Sequence, residues 1–306
     1  MTILLSDKIE IKNFNYSQIE SDTLLKKNSE EFINSPKNEQ DAFKCLFVGQ
    51  REYVTVTHND PLIDIIGSDD ATTCHIILLV DESNYNCSLC HLDGSDTHGG
   101  LNQMVESLKA LRTNTDDSSE FSVFLVGGFE DSNNSSQELT NQIFDALLNR
   151  SEIFNLKLCI NTKLNSIKLN NVNFPMIYGL GYEIKNKKVF MCNKFLDKGP
   201  DFLARSARHF STNGNMNIYD PVECKLIIRP FSYKVYDYIP QCIDLPENVL
   251  LKYFSTSPEQ EPAHFSANLR EVFKFMCKHP KPLKTYFINN EPFIYVKKDD
   301  GSWNKI

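Results

Sequence analysis

The chain lacks any apolar run near the roughly 20 residues that span a bilayer, so no membrane-spanning helix is expected. Its first stretch, MTILLSDKIEIKNF, has no basic n-region, no long apolar h-region and no small-residue cleavage site. That argues against a secretory leader. Positive charge is not in excess either: 32 Lys and Arg stand against 40 Asp and Glu, a formal charge of -8. Such a surface does not attract nucleic acid or anionic membrane, but suits a substrate bearing a cationic group such as a free α-amine. The basic cluster Lys185 to Lys188 is short, interrupted by Asn186, and reads as a solvated turn. An even complement of cysteines is also absent. Nine cannot close a complete disulfide framework, and without an export signal they are expected to stay reduced. The expected location is the cytosol, with the nucleus as a further compartment, where the sequon Asn133-Asn134-Ser135 has no meaning. Internal repeats and long low-complexity linkers are missing as well.

What remains is an ordinary globular composition, 41% hydrophobic and 24% charged over 306 residues, enough for a full core in a single globular domain. Residues 1–45 combine a short alternating strand, ILLSDKIEIK, with polar sequence of helical character. From Cys45 the stretches CLFVGQREYVTV, HIILLVDES, CSLCHLDG and FSVFLVGGF read as strands closed by Asp, Gly or Ser. Leu101, Met104, Val105, Leu108 and Leu111 recur at a helical period, as do Leu139, Ile143, Phe144 and Leu147. The Lys-Asn-Lys of PMIYGLGYEIKNKKVFMC marks a hairpin. Helices are expected near GPDFLARSARHF and SANLREVFKFMCKH, strands around ECKLIIRPFSYKVY, and a closing strand pair near TYFINNEPFIYVKK. The class is α+β, mainly antiparallel strands packed with helices.

Chemistry gathers around GSDDATTCHIILLVD. A polar turn with adjacent carboxylates, Asp69 and Asp70, precedes Cys74 at the mouth of an apolar strand. Free cysteine usually behaves as a small buried hydrophobe. At a strand start, though, backbone N–H groups can stabilise a thiolate and then an oxyanion. A nucleophilic cysteine needs a base. His75 alternates to the opposite strand face, whereas His91 lies in the next strand, which a hairpin lays beside the first. Ser68, Asp69, Asp70 and Asp93 are nearby candidates to orient the imidazole, and equally ordinary turn and cap residues. The stretch CSLCH, Cys87 to His91, matches a haem-attachment pattern and a zinc-like spacing. The haem reading needs an exported chain, and the zinc reading needs a second ligand pair that does not exist. In a strand, moreover, Cys87 and Cys90 point to opposite faces. In VGGF the paired glycines suit a tight turn; no Lys-Ser/Thr follows as a P-loop requires. The loop STSPEQEPAHF carries Glu259, Glu261 and His264, and such a loop either connects helices or walls a pocket.

The stretches GSDDATTCHI, DGSDT, LVGGF, YGLGYEI, STSPEQEPAHF and DDGSWNKI resemble the eukaryotic protein N-terminal asparagine amidohydrolases, from about residue 46 to the end of the chain. The core is also similar to chemotaxis-receptor glutamine deamidases and necrotizing-factor toxins. In those, a Cys opens a strand, a Ser or Thr precedes it and a His follows at the separations of Ser68, Cys74 and His91. The resemblance implies an α-β-β sandwich with a cysteine-hydrolase deamidase core over residues 46–195, an N-terminal elaboration over 1–45 and a C-terminal one over 196–306. It implies Cys74 as nucleophile, His91 as base and Ser68 as third member. The implied reaction is deamidation of an N-terminal Asn to Asp through a thioester, without metal or organic cofactor, on proteins or peptides with a free N-terminus. The product feeds the degradation pathway that reads N-terminal residues. Asp69, Asp70, Asp93 and Glu261, acidic residues inside the matching stretches, are the candidates to hold the substrate amine; Asp69 and Asp70 are the preferred ones because they adjoin the nucleophile, though either can instead cap the turn. A non-catalytic adaptor that keeps the fold is the alternative reading. Cys87 and Cys90 depart from the family pattern and carry no assigned role.

Overall fold

The structure, a computed structural model, describes residues 2–5, 9–35, 38–40, 43–113 and 119–306. The chain opens with strands β1 (Thr2–Leu4) and β2 (Glu10–Ile11), helices α1 (Tyr16–Ser21) and α2 (Thr23–Ile33), and strand β3 (Asn38–Gln40). Residues 6–8, in the middle of the expected first strand, lie outside the described residues. Strands β4 (Cys45–Phe47), β5 (Glu52–Val56), β6 (Ile65–Ser68), β7 (His75–Asp81) and β8 (Cys87–Leu92) follow. Helix α3 (Thr97–Ala110), strand β9 (Glu120–Gly127), helix α4 (Ser135–Leu148) and strand β10 (Ile153–Asn161) come next. Two hairpins, β11 (Ser166–Leu169) with β12 (Val172–Pro175) and β13 (Leu180–Glu183) with β14 (Lys188–Phe195), lead to helix α5 (Phe202–Ala207). The remainder comprises β15 (Met216–Asn217), β16 (Tyr219–Asp220), β17 (Lys225–Ile228), α6 (Ile239–Cys242), α7 (Glu247–Phe254), α8 (Phe265–Lys278), α9 (Pro282–Thr285), β18 (Phe293–Lys297) and β19 (Trp303–Lys305).

The expected α+β class is what these elements make. An eight-stranded sheet runs in the order β15-β5-β8-β7-β9-β10-β1-β2, and a five-stranded one in the order β3-β14-β13-β6-β4. Every residue of β7 and β8 is buried, because both faces of the larger sheet are covered; their near-continuous apolar runs reflect this. One face carries Ile77, Leu79, Cys90 and Leu92 against the apolar stripes of α3 and α4. The other carries Ile76, Leu78, Val80 and Leu89 against Ile66, Leu180 and Tyr182 of the smaller sheet. The third sheet, β16-β17-β18-β19, and helices α6 to α8 extend the second core.

Two expectations change in detail. The larger sheet is mixed, since β9–β10, β10–β1 and β15–β5 pair in parallel. The reason is connectivity: α4 returns the chain from the end of β9 to the start of β10, and such a crossover lays strands parallel. The closing pair is β18 with β19, while Ile288–Asn290 forms a 3₁₀ turn, so the first half of TYFINNEPFIYVKK is not a strand. Helix α4 begins at Ser135, capped by Asp131, whose carboxylate accepts from the N–H groups of Asn133, Ser135 and Ser136.

Candidate active site

Cys74 sits immediately before β7, half-buried, in a cavity of about 410 Å³ that His91, Asp93, Lys198 and Glu261 also line. The β7–β8 register pairs His75 with Leu92 and Ile76 with His91. Extended by one residue, it sets Asp93 opposite Cys74. Cys74 and His91 then share the inter-sheet face as diagonal neighbours, a placement that sets their backbones about 7–8 Å apart. Ser68 comes from the other sheet, at the end of β6, fully buried behind the imidazole; its Oγ lies 2.7 Å from His91 Nδ1. The fold therefore sets Ser68 against His91 across the gap between two sheets, with Cys74 and His91 lining one cavity.

His75 does point the other way. It is fully buried on the helix side, Nε2 2.9 Å from Thr140 Oγ1, and burial holds its pKa down to about 3. Burial likewise lowers His91 to about 4, with Asp93 and Asp70 opposing. Burial pushes the Cys74 thiol well up, Asp93 and Glu261 adding to it and Arg51 opposing. Near neutral pH the resting pair is thus thiol and neutral imidazole.

The VGGF turn has a structural task here. Gly127 and Gly128 have φ of +109° and +63°, and a Cβ at Gly127 would lie 2.5 Å from the Cys74 carbonyl oxygen. Gly128 N–H donates to that same oxygen at 2.8 Å. On the other side, the Ala71 N–H donates to the Tyr178 carbonyl at 2.9 Å. Among the described residues, nothing accepts from the Cys74 N–H.

The four acidic candidates differ in how far they are already engaged. Asp69, 2% exposed, accepts the Phe195 N–H at 2.7 Å and pairs with the Lys198 ammonium. Asp93 takes the guanidinium of Arg51 at 2.7 Å, the amide of Gln50 at 2.9 Å and the Ser95 N–H at 2.9 Å. Burial pushes its carboxyl up, but His209, Arg51 and the Ser95 N–H outweigh this and hold it well below the usual carboxylate range. Asp70, at φ 57°, meets His264 Nε2 at 2.9 Å and Lys198 Nζ at 3.6 Å. Among the described residues Glu261 accepts from the Ser255 hydroxyl alone, at 2.5 Å, and burial raises its pKa to about 7.

Residues that sequence reasoning did not single out complete the walls. Lys198 lies in a plain turn with no local signal. Thr256 Oγ1 meets Thr73 Oγ1 at 2.8 Å, which together with His264–Asp70 ties the STSPEQEPAHF loop to the nucleophile turn. Glu52 on β5 bonds the guanidinium groups of both Arg205 and Arg208, all three buried, and fixes α5 at the cavity edge. Cys87 faces the inter-sheet core and Cys90 the helix-side core, so they do not converge. Among the described residues no group of His, Cys, Asp or Glu is arranged to hold a metal ion, and no helix is long and apolar enough to cross a membrane.

The family described as protein N-terminal asparagine amidohydrolase matches residues 35–305. Proteins of that name from Homo sapiens and Mus musculus are 36% and 35% identical to this chain over 262 residues, covering 85% of it and 84% of each relative. The namesake from Arabidopsis thaliana is 24% identical over 310 residues, covering 92% of this chain and 86% of its own.

Proposed function

The chain belongs to the protein N-terminal asparagine amidohydrolase family, a family of hydrolases, and on that premise we propose that Cys74, His91 and Ser68 form a cysteine-hydrolase deamidase core. This core converts an N-terminal Asn side chain to Asp. The observation that carries the reading is the sharing of one sheet face by Cys74 and His91 at the floor of the cavity, with Ser68 Oγ 2.7 Å from Nδ1.

His91 takes the Cys74 proton as the sulfur attacks the side-chain carbonyl, so the S–C bond forms as negative charge moves to oxygen. The Cys74 N–H, without another acceptor among the described residues, is placed to hold that oxyanion. The C–N bond breaks, and ammonia leaves with the proton from His91. Water, deprotonated by His91, then attacks the thioester; the S–C bond breaks, and aspartate and the free thiol result. Ser68 holds the imidazole in place. No step calls on a metal or organic cofactor.

Glu261 receives the substrate ammonium. Of the four candidate carboxylates it is engaged, among the described residues, by a hydroxyl alone, while Asp69 and Asp93 are bound to cations that hold the turn and the strand end. Substrates are proteins or peptides with a free N-terminal Asn, in the cytosol or nucleus, and the product enters degradation that reads N-termini. The test is ammonia release from an Asn-initiated peptide beside its acetylated, Gln-initiated and internal-Asn counterparts. Turnover of the first alone is expected. Equal turnover of the acetylated peptide would rule out amine recognition.

A further inference from the structure

The nucleophile turn hangs between two segments: Ala71 N–H on the Tyr178 carbonyl, and the Cys74 carbonyl on Gly128 N–H. The Asn165 side chain ties those two segments together. Asn165, fully buried and outside the cavity lining, donates Nδ2 to the Gly128 carbonyl at 2.7 Å and to the Ile177 carbonyl at 2.9 Å. Its Oδ1 accepts the Ile177 N–H at 2.9 Å, and its own carbonyl accepts from Met176 N–H at 2.9 Å. Both amide hydrogens and the amide oxygen are therefore committed to backbone. Gly128 is backed in turn by the His75 ring, close enough that a Cβ there would lie 2.5 Å from Cε1.

Resting on the deamidase reading above, we infer that Asn165 is a positioning residue that locks the Gly128 and Ile177 segments into one frame and so fixes the direction of the Cys74 N–H. Losing the two Nδ2 bonds strands two buried carbonyls and frees each end of the turn separately. A misplacement of about 1 Å in a reacting geometry costs roughly a hundredfold in rate.

Asn165→Asp keeps the shape and the acceptor but removes both donors. Expected is a kcat about a hundredfold lower with KM within about twofold. Alkylation of Cys74 by iodoacetamide, which forms no oxyanion, should stay within about twofold of wild type. Unchanged kcat per titrated thiol with only a lower Tm means that Asn165 is merely structural and overturns the inference, as does a matching loss of alkylation. Amide hydrogen exchange on the unmodified protein decides independently of whether the variant folds. The Ala71 and Gly128 amides should be protected and open together, and opening at rates more than about tenfold apart breaks the single frame. A wild-type protein that releases no ammonia defeats the deamidase reading instead, and the exchange result still reports on the frame.

Discussion

Ser68 and His91 stand on different sheets, on strands that never pair, yet Ser68 Oγ lies 2.7 Å from His91 Nδ1. Nδ1 is thereby held against a hydroxyl inside the protein, which leaves Nε2 as the nitrogen available to the thiol. Ser68→Ala removes this hold without removing the base. A kcat lower by roughly 10- to 100-fold is expected, whereas His91→Ala and Cys74→Ser should each cost on the order of 10⁴-fold or more. Steady-state ammonia release measures all three. A Cys74→Ser protein with a tenth of wild-type turnover would end the nucleophile assignment.

Glu261→Gln should raise KM for a free-amine Asn peptide by about 10- to 100-fold, the range of a charge-assisted bond lost, and leave kcat nearly unchanged. With wild type, KM should fall as pH rises through about 7, where Glu261 ionises. It should climb again near pH 8, where the peptide's α-amine loses its proton. The Gln variant keeps only the second limb. A variant that retains both limbs assigns the amine to another carboxylate.

His75 and His91 are buried neutral, with folded pKa values of about 3 and about 4 against 6.5 unfolded. Between pH 6.5 and about 4 the unfolded chain binds more protons than the folded one, so stability falls as pH drops through that window. Each histidine contributes up to about 1.4 kcal/mol per pH unit. Urea midpoints measured from pH 7 to 4.5 should fall, and His75→Gln should flatten the slope. A midpoint that rises on acidification contradicts the burial.

Glu52 neutralises one of two buried guanidinium groups and bonds both. Glu52→Gln removes the carboxylate that both buried guanidinium groups share, and a loss of about 3–5 kcal/mol in denaturant unfolding is expected. Replacing Cys87 or Cys90 by Ala should instead leave turnover within about twofold, since each faces a separate apolar core and neither lines the cavity. Metal analysis of the purified protein should find no stoichiometric zinc.

Much of the local structure was legible because it is written in period. The stripes 101–108 and 139–147 became α3 and α4, and the two-residue alternation already separated His75 from Cys74 and Cys87 from Cys90. The Asp131 cap was not legible, since it acts four and five residues ahead on Ser135 and Ser136. Nor was the parallel half of the large sheet, which follows from where a helix returns the chain rather than from any strand's composition.

By itself, then, the sequence determined strand faces, helix stripes, and a thiol, a hydroxyl and an imidazole at telling separations around GSDDATTCHI, because these depend on neighbours a few bonds apart. Tertiary structure alone decided which carboxylates are engaged. Asp69 and Asp70 meet Lys198, and His264 reaches Asp70, across more than a hundred residues of chain. It also decided that the resting pair is neutral, because burial shifts Cys74 up and His91 down only once two sheets close over them. Desolvation and ion pairing belong to what surrounds a group in space, and a linear string carries no record of that until the chain has folded.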